Sequence, residues 1–271
     1  MNTSMSKIKY DLIFSLGGSC AWASQLRARE LRLASLPFDW LFVVDDTPLL
    51  RLATCFNENF EHWMERDNLL PLIGDERSKT ASGLQYKDSY TGYRFIHDFH
   101  RPVNEDASYF NVKSQYERRI KRLYDYIHKS TKILMCYDAG WTVDYSIVEH
   151  LRNVILNKFG SNKDINVVIN EFSCIEEKTI TPFPWMTVNR FAHSKNNYIF
   201  TYCSYEYSVL DNLELSGACP LPTGHNRWLN WGHPLGGIKL QFLPRMRSIV
   251  RSRLSFGKNV LLDIGIGKFG K

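Results

Sequence analysis

Apolar and polar positions along the chain form two alternating kinds of segment. Compact apolar runs, typical of buried strands, occupy residues 12–16, 132–137, 164–170 and 198–202. Amphipathic segments, whose apolar residues recur every three or four positions, occupy residues 21–33, 47–64, 107–129 and 144–159. Strands that alternate with helices of this length favour a mostly parallel sheet. The pattern therefore predicts a three-layer α/β fold with helices on both faces of the sheet.

The chain has 271 residues, which is long enough for one large domain, and we assign residues 1–271 to a single α/β domain. Two regions interrupt the regular pattern. Residues 65–92 are rich in glycine and polar side chains and predict an irregular insertion of loops and short strands. Residues 215–238 are rich in proline and glycine and predict a long loop. The last predicted elements are a helix near residues 243–254 and a strand at 260–264.

Composition and charge exclude several classes of protein. Hydrophobic residues make up 44% of the chain and charged residues 23%, which is ordinary for a globular protein. The net charge is +6, and basic clusters lie at residues 118–122 and 245–253. These clusters fit polar helix faces, and an anionic partner such as a phosphorylated cofactor, an acidic glycan or a membrane surface is the alternative. No nucleic-acid-binding motif is present. No stretch approaches the ~20 apolar residues that span a bilayer, and the N-terminus lacks an apolar signal core. We therefore expect a cytoplasmic protein without a transmembrane segment.

Cys20 is the most informative of the six cysteines. The six are scattered and include no Cys-x-x-Cys pair, so we expect reduced thiols and no metal site. The run at residues 12–16 shows no apolar–polar alternation, which predicts a central strand, and it leads through Gly17 and Gly18 into a helix. The first turn of a helix lowers the pKa of a thiol because free N–H groups and the helix dipole favour an anion there. Cys20 is thus either a reactive thiolate or a small buried residue that fills the turn.

A cysteine nucleophile needs a base, and three histidines are candidates. His97 follows a short apolar strand, where open sheets place site residues, although a core histidine is the alternative. His100 shares that segment, and His233 lies in the late loop, where a turn residue is the alternative. Asp98 is adjacent to His97, but neighbours on a strand point to opposite faces. Asp39 either holds a base histidine or, more simply, caps backbone amides.

Three pieces of sequence together resemble a known family. They are Ser-Leu-Gly-Gly-Ser-Cys20, then Ser35-x-Pro37-Phe-Asp39-Trp40, then Ile-His97-Asp98-Phe99. This combination resembles the bacterial family labelled putative papain-like cysteine peptidase, many of whose members lie among genes for capsule or lipopolysaccharide synthesis. The resemblance covers residues 11 to about 100. It implies Cys20 as the nucleophile and His97 as the base, with Asp98 or Asp39 as the orienting group.

The strand–glycine–nucleophile–helix order is also similar to that of SGNH-type esterases and of cysteine-containing capsule acyltransferases. In both, backbone amides beside the nucleophile form part of an oxyanion hole. We expect Cys20 to line a pocket with Trp40 or Phe38 in its wall. The candidate substrate-binding residues lie around this turn or in the late loop: Gly17, Gly18, Ser19, Asp39, Trp40 and His233.

Two hypotheses of different classes follow. The first is a cysteine-dependent hydrolase or acyltransferase that acts on a small-molecule or glycan substrate in capsule or lipopolysaccharide biosynthesis. It needs no cofactor, although coenzyme A is a candidate acyl donor if the enzyme is a transferase. The second is a non-catalytic protein of a surface-polysaccharide pathway that binds a glycan or a nucleotide sugar. In that case Cys20 is merely buried, and the aromatic residues, 14% of the chain, provide stacking.

Overall fold

The strands and helices alternate along most of the chain, as described by a computed structural model that covers residues 6–78, 83–174, 177–192 and 204–220. The strands are β1 (Ile8–Tyr10), β2 (Leu12–Ser15), β3 (Leu41–Phe42), β4 (Leu69–Pro71), β5 (Leu84–Asp88), β6 (Arg94–Phe99), β7 (Lys132–Ala139), β8 (Asp164–Cys174), β9 (Lys178–Phe183), β10 (Met186–Ala192) and β11 (Leu213–Leu215). The α-helices are α1 (Ala21–Ala28), α2 (Thr47–Asn57), α3 (Asp106–Lys129) and α4 (Tyr145–Phe159). Short 3-10 helices occupy Arg66–Asn68, Gly74–Glu76 and Ser204–Asn212.

Within the described ranges, the main sheet has five strands in the order β2-β7-β8-β10-β9, and of these only β9 runs antiparallel to its neighbour. The predicted α/β class with a mostly parallel sheet is therefore confirmed. Over the described residues β2 lies at an edge of this sheet, which contradicts the predicted central position of the first strand. Leu12, Ile13 and Phe14 are nevertheless at most 1% exposed. The absence of alternation in this segment reflects burial on both faces, and it carries no information on how many strands lie beside it.

Helices cover both faces of this sheet. On one face, Ile13, Leu134 and Val168 join a core cluster with Trp22 and Leu26 of α1. On the other face, side chains of alternate positions join a larger cluster with residues of α2, α3 and α4. Since side chains in a strand alternate between faces, the apolar runs at residues 12–16, 132–137 and 164–170 each supply both clusters. The three-layer arrangement follows from this division.

A second sheet, antiparallel and not predicted from the sequence, has the order β3-β6-β5-β4. It is built mainly from the predicted irregular insertion at residues 65–92 and the short strand that follows it. Its strands are two to six residues long, which is too short for a clear period of two. The ring of Phe95 in β6 packs edge-on against Tyr116 of α3, with 5.2 Å between the ring centroids.

Two helices end earlier than their amphipathic patterns predict. Helix α1 ends at Ala28, and Glu30 then adopts a positive φ of 59°. Helix α2 ends at Asn57, and Asn59 and Phe60 have φ values of 55° and 62°. A left-handed residue directly after a helix is a common stop, and the apolar residues beyond it stay buried without being helical.

Several predicted elements lie outside the described residues: the strand at 198–202, most of the loop at 215–238, the helix near 243–254 and the strand at 260–264. The described residues all lie within one compact unit, Met1–Trp231. The assignment of the whole chain to a single domain stays a prediction. Over the described ranges, no helix combines the length and the apolar character needed to cross a membrane.

Two glycines form the turn between β2 and α1. Gly17 and Gly18 have φ values of 95° and 97°, a region that favours glycine. A Cβ atom on Gly17 would lie 2.9 Å from a ring carbon of Tyr93, and one on Gly18 would lie 2.1 Å from the carbonyl oxygen of Asp138. The turn therefore packs directly against the end of β7, and this contact sets the position of Ser19.

Replacement of Gly18 by alanine should destabilise the protein severely, because the new methyl group meets backbone. Gly217 is the matched control, since its φ is 85° but a Cβ there meets nothing within 4 Å. Gly217→Ala should lower the free energy of unfolding by about 1–2 kcal/mol, the conformational penalty alone. Gly18→Ala should lower it by at least about 2 kcal/mol more, as overpacking is added. Urea unfolding measures both, and equal losses would contradict the close approach to Asp138.

Candidate active site around Cys20

Cys20 is the N-cap residue of α1, so its predicted position at the start of a helix is confirmed. The amide of Ser24 donates to the carbonyl oxygen of Cys20 at 3.1 Å, which closes the first turn. The residue is 9% exposed. Amides in the first turn have no partner within the helix, and together with the helix dipole they favour a negative charge at this end. A helix N-terminus lowers the pKa of a thiol, and burial acts in the opposite direction.

A buried carboxylate lies beside the residue that precedes Cys20. The hydroxyl of Ser19 donates to Oδ2 of Asp138 at 2.8 Å and accepts a hydrogen bond from the amide of Ala21 at 3.1 Å. The hydroxyl of Tyr207 donates to the same Oδ2 atom at 3.0 Å. Asp138 is 5% exposed. Ser19 thus connects the carboxylate to the first turn of α1, and the start of the helix is held in place.

Asparagine side chains continue this polar group across the sheet. Asn170 of β8 is in register with Asp138 of β7 and with Asn189 of β10. The side-chain amide of Asn189 donates to Oδ1 of Asn170 at 3.1 Å, and Asn170 is fully buried. Polar side chains at the carboxyl ends of parallel strands are where open α/β sheets bind ligands. Asp138 and Asn170 were not predicted as site residues from the sequence, although both come at or directly after the end of a predicted apolar strand.

His97 is exposed on β6. It is connected to the turn before Cys20 through strand β3, which contacts both. The ring of His97 lies 6.2 Å from the ring of Phe42, centroid to centroid. Phe42 of β3 forms a parallel bridge with Gly18 in the turn. His100 is also exposed, just beyond the end of β6. His233 lies outside the described residues, and the choice of base among the three histidines stays a prediction.

Asp98 is directed towards helix α3. Its Oδ1 atom accepts a hydrogen bond from the hydroxyl of Tyr116 at 3.1 Å and lies 3.9 Å from Nη1 of Arg119. Burial raises the pKa of the Asp98 carboxyl, and the positive charge of Arg119 opposes that rise. Through these contacts Asp98 helps to hold α3 against β6. Its role as the group that orients His97 stays a prediction.

Asp39 caps backbone and balances a buried charge. It is 1% exposed, and its Oδ2 atom accepts from the amide of Leu36 at 2.8 Å. The same atom lies 3.0 Å from Nε and 2.5 Å from Nη2 of Arg32. Capping, one of the two roles predicted for Asp39, is therefore confirmed, and a contact with substrate stays a prediction. Phe38 is fully buried, whereas Trp40 is partly exposed, so only Trp40 can contribute an accessible wall.

Three other cysteines are held as neutral thiols. Burial raises the pKa of Cys55 to about 12 and raises that of Cys136 well above its ordinary value, and nearby carboxylates add to both effects. Burial also raises the pKa of Cys219. Over the described residues, no group of three or more histidine, cysteine or acidic side chains is arranged to hold a metal ion.

A pocket of about 510 Å³ lies between the end of α2, helix α3 and the end of α4. The rings of Phe60, Tyr124 and Phe159 line it, together with charged side chains such as Glu117 and Lys121. None of the candidate residues named from the sequence lines this pocket. It is therefore not part of the site around Cys20.

The fold and the site define an α/β protein whose first helix after a parallel strand begins at a cysteine, beside a buried carboxylate. The chain belongs to the family described as "Putative papain-like cysteine peptidase", whose model matches residues 11–169. This match contains Cys20, His97 and Asp138. The description is of cysteine hydrolases, whose chemistry needs no cofactor.

One relative is a protein of Acanthamoeba polyphaga mimivirus that is described as uncharacterized. It is 27% identical to this chain over 186 residues, which cover 65% of this chain and 82% of that protein. No solved structure matches the chain.

The ion pair between Arg32 and Asp39 should contribute to stability because both side chains are buried. Asp39→Asn should lower the free energy of unfolding by about 3–5 kcal/mol, since it leaves the Arg32 charge uncompensated. Asp211, which is exposed and pairs with Arg29 at 2.6 Å, is the matched control. Asp211→Asn should cost less than about 1 kcal/mol. Urea unfolding compares the two variants, and a loss for Asp39→Asn as small as that for Asp211→Asn would contradict a structural role.

Proposed function

We propose that the protein is a cysteine-dependent hydrolase in which the thiolate of Cys20 attacks an acyl carbonyl. The observation that carries this proposal is the position of Cys20 at the N-cap of α1, where the helix end favours an anion. The family description supports the same chemistry. The neutral thiols of Cys55, Cys136 and Cys219 are poor alternatives, because a thiol must lose its proton before it attacks.

In the proposed reaction, the base histidine takes the proton of the Cys20 thiol. A C–S bond then forms between the thiolate and the carbonyl carbon as the C=O π bond breaks, and the carbonyl oxygen becomes an oxyanion. Amides at Gly18 and Ser19 and those of α1 after Ala21, whose own amide donates to Ser19, are proposed to stabilise that charge. When the bond to the leaving group breaks, a protonated base histidine supplies the proton, and an acyl-enzyme remains. Water, activated by the same histidine, then releases the acid and regenerates the thiol.

His97 is the base in this proposal, with Asp98 as its orienting neighbour. The contact between His97 and Phe42, and the bridge between Phe42 and Gly18, support a location near the turn. His100 and His233 are the alternatives. Asp138 is a positioning residue, because its hydrogen bond from Ser19 holds the turn that carries Cys20.

The proposed substrate is a small molecule or a glycan with an acyl group, and Trp40 and Asp39 lie on the adjoining segment. If a sugar hydroxyl replaces water in the second step, the same acyl-enzyme makes the protein an acyltransferase, with coenzyme A as a candidate donor. We also propose a role in capsule or lipopolysaccharide synthesis in the cytoplasm. This role rests on the resemblance of the sequence to a family whose members often lie among genes for such synthesis.

Cys20 should be the most reactive thiol of the folded protein. With iodoacetamide, peptide mass mapping of all six cysteines should find Cys20 alkylated well before the others, at a pH well below ~8.5. Cys219→Ser is the matched control, and it should leave the rate at Cys20 unchanged. A rate at Cys20 no faster than that of the urea-unfolded chain would contradict an activated thiolate and favour a non-catalytic, ligand-binding role.

Cys20 and His97 should act as a unit. Cys20→Ala and His97→Ala should each reduce turnover of p-nitrophenyl acetate by at least ~100-fold, because loss of a general base has an effect of this size. The double variant should be little worse than either single variant. His100→Ala and His233→Ala should remain close to the parent. Near-normal turnover by His97→Ala would contradict its role, and a loss confined to His233→Ala would transfer the role of base to His233.

A further inference from the structure

Two arginines lie against the ring of Trp40. The Cζ atom of Arg27, in α1, is 5.8 Å from the centroid of the Trp40 ring, and that of Arg32 is 5.7 Å from it. Trp40 and Arg27 are both partly exposed. A guanidinium group at this distance interacts favourably with an aromatic face. The three side chains form a cluster that we call the Arg27–Trp40 cluster.

The positive charges of this cluster are not fully compensated. Asp39 accepts hydrogen bonds from Arg32, and its negative charge balances the positive charge of Arg32. The Nε atom of Arg27 is buried and has no hydrogen-bond partner among the described residues. Buried donors almost always have a partner, so such an atom needs an explanation, and an ion or ligand is one of the usual ones.

Another arginine–tryptophan contact in the protein shows the ordinary arrangement. The Cζ atom of Arg152 is 4.7 Å from the centroid of the Trp185 ring. Its Nε atom donates to the carbonyl oxygen of Ile165 at 2.9 Å. Stacking on a tryptophan therefore does not by itself leave the Nε atom of an arginine without a hydrogen-bond partner.

The cluster lies close to the turn that carries Cys20. Arg27 follows Cys20 by seven residues, which is two helical turns, so it projects from the same side of α1 about 10 Å further along. Trp40 directly precedes β3, and Phe42 of that strand bridges Gly18. A Cβ atom on Gly17 would lie 3.3 Å from the carbonyl oxygen of Leu41, so the two segments are in contact beside the turn.

We propose that Arg27 and Trp40 form a binding subsite for an anionic oxygen group, a carboxylate or a phosphate, on a ligand that stacks on the Trp40 ring. The Nε and Nη donors of a guanidinium group match such an oxygen pair in a two-bond geometry. Arg32 adds positive charge but is already held by Asp39. That the ligand is the substrate of Cys20 rests on the proposed function, whereas binding of the anion does not.

The test is a titration of the folded protein with inorganic phosphate and, separately, with sodium glucuronate, both at constant ionic strength. Tryptophan fluorescence and the shift in melting temperature are the readouts. We expect saturable binding of at least one probe, and the arm that saturates identifies the anion as phosphate or as a sugar carboxylate. Glucose is the neutral control and should give no response.

Arg27→Gln should weaken binding at least 10-fold, and Arg27→Lys, which retains the charge but loses the two-bond geometry, should weaken it less. Arg152→Gln is the matched control and should bind as the parent does. Equal affinity in Arg27→Gln, or no saturable binding of either probe, would overturn the subsite. Cys20→Ala should bind the anion as the parent does. A parent protein that binds the anion but does not turn over p-nitrophenyl acetate would contradict only the proposed function.

Discussion

The contact between the Gly17–Gly18 turn and the end of β7 is the constraint on which the site depends. Gly18 lies so close to the carbonyl group of Asp138 that only a hydrogen atom fits at its α-carbon. This approach brings Ser19 within hydrogen-bond distance of the Asp138 carboxylate and starts α1 at Cys20. The same turn bridges Phe42 and so connects the parallel sheet with the antiparallel one. A side chain at position 18 would disturb all of these relations together.

The carboxylates around the turn make different contacts. Asp39 and Arg32 form a buried pair that holds the segment after α1, and Asp98 is engaged by Tyr116 and Arg119 of α3. Asp138 alone of these carboxylates contacts the residue beside Cys20. The family description names a cysteine peptidase chemistry, whereas the sheet that carries the cysteine is mostly parallel. The chemistry therefore rests on the residues around the turn.

The local sequence pattern was sufficient to predict that a helix begins near Cys20. It was insufficient to predict which distant residues contact this turn. The order of apolar strand, two glycines and amphipathic helix predicted where Cys20 lies, because each signal is within a few residues. Asp138 is 119 residues away from Ser19, and no local period indicates that the two meet. The edge position of β2 was missed for the same reason, since lateral neighbours are long-range. The left-handed residues that end α1 and α2, such as Glu30, are not glycines. The sequence therefore did not indicate that the two helices end there.

The most direct test of the central claim is to trap the acyl-enzyme. The native protein is mixed with p-nitrophenyl acetate and quenched with acid, and the acetyl group is located by mass mapping of all six cysteines. Nitrophenolate leaves as the thioester forms, so its release should match the amount of adduct at early times. We expect an acetyl thioester on Cys20 that accumulates in the folded protein and not in the urea-unfolded chain. Acetylation spread over several cysteines, or equal in the folded and the unfolded chain, would contradict it.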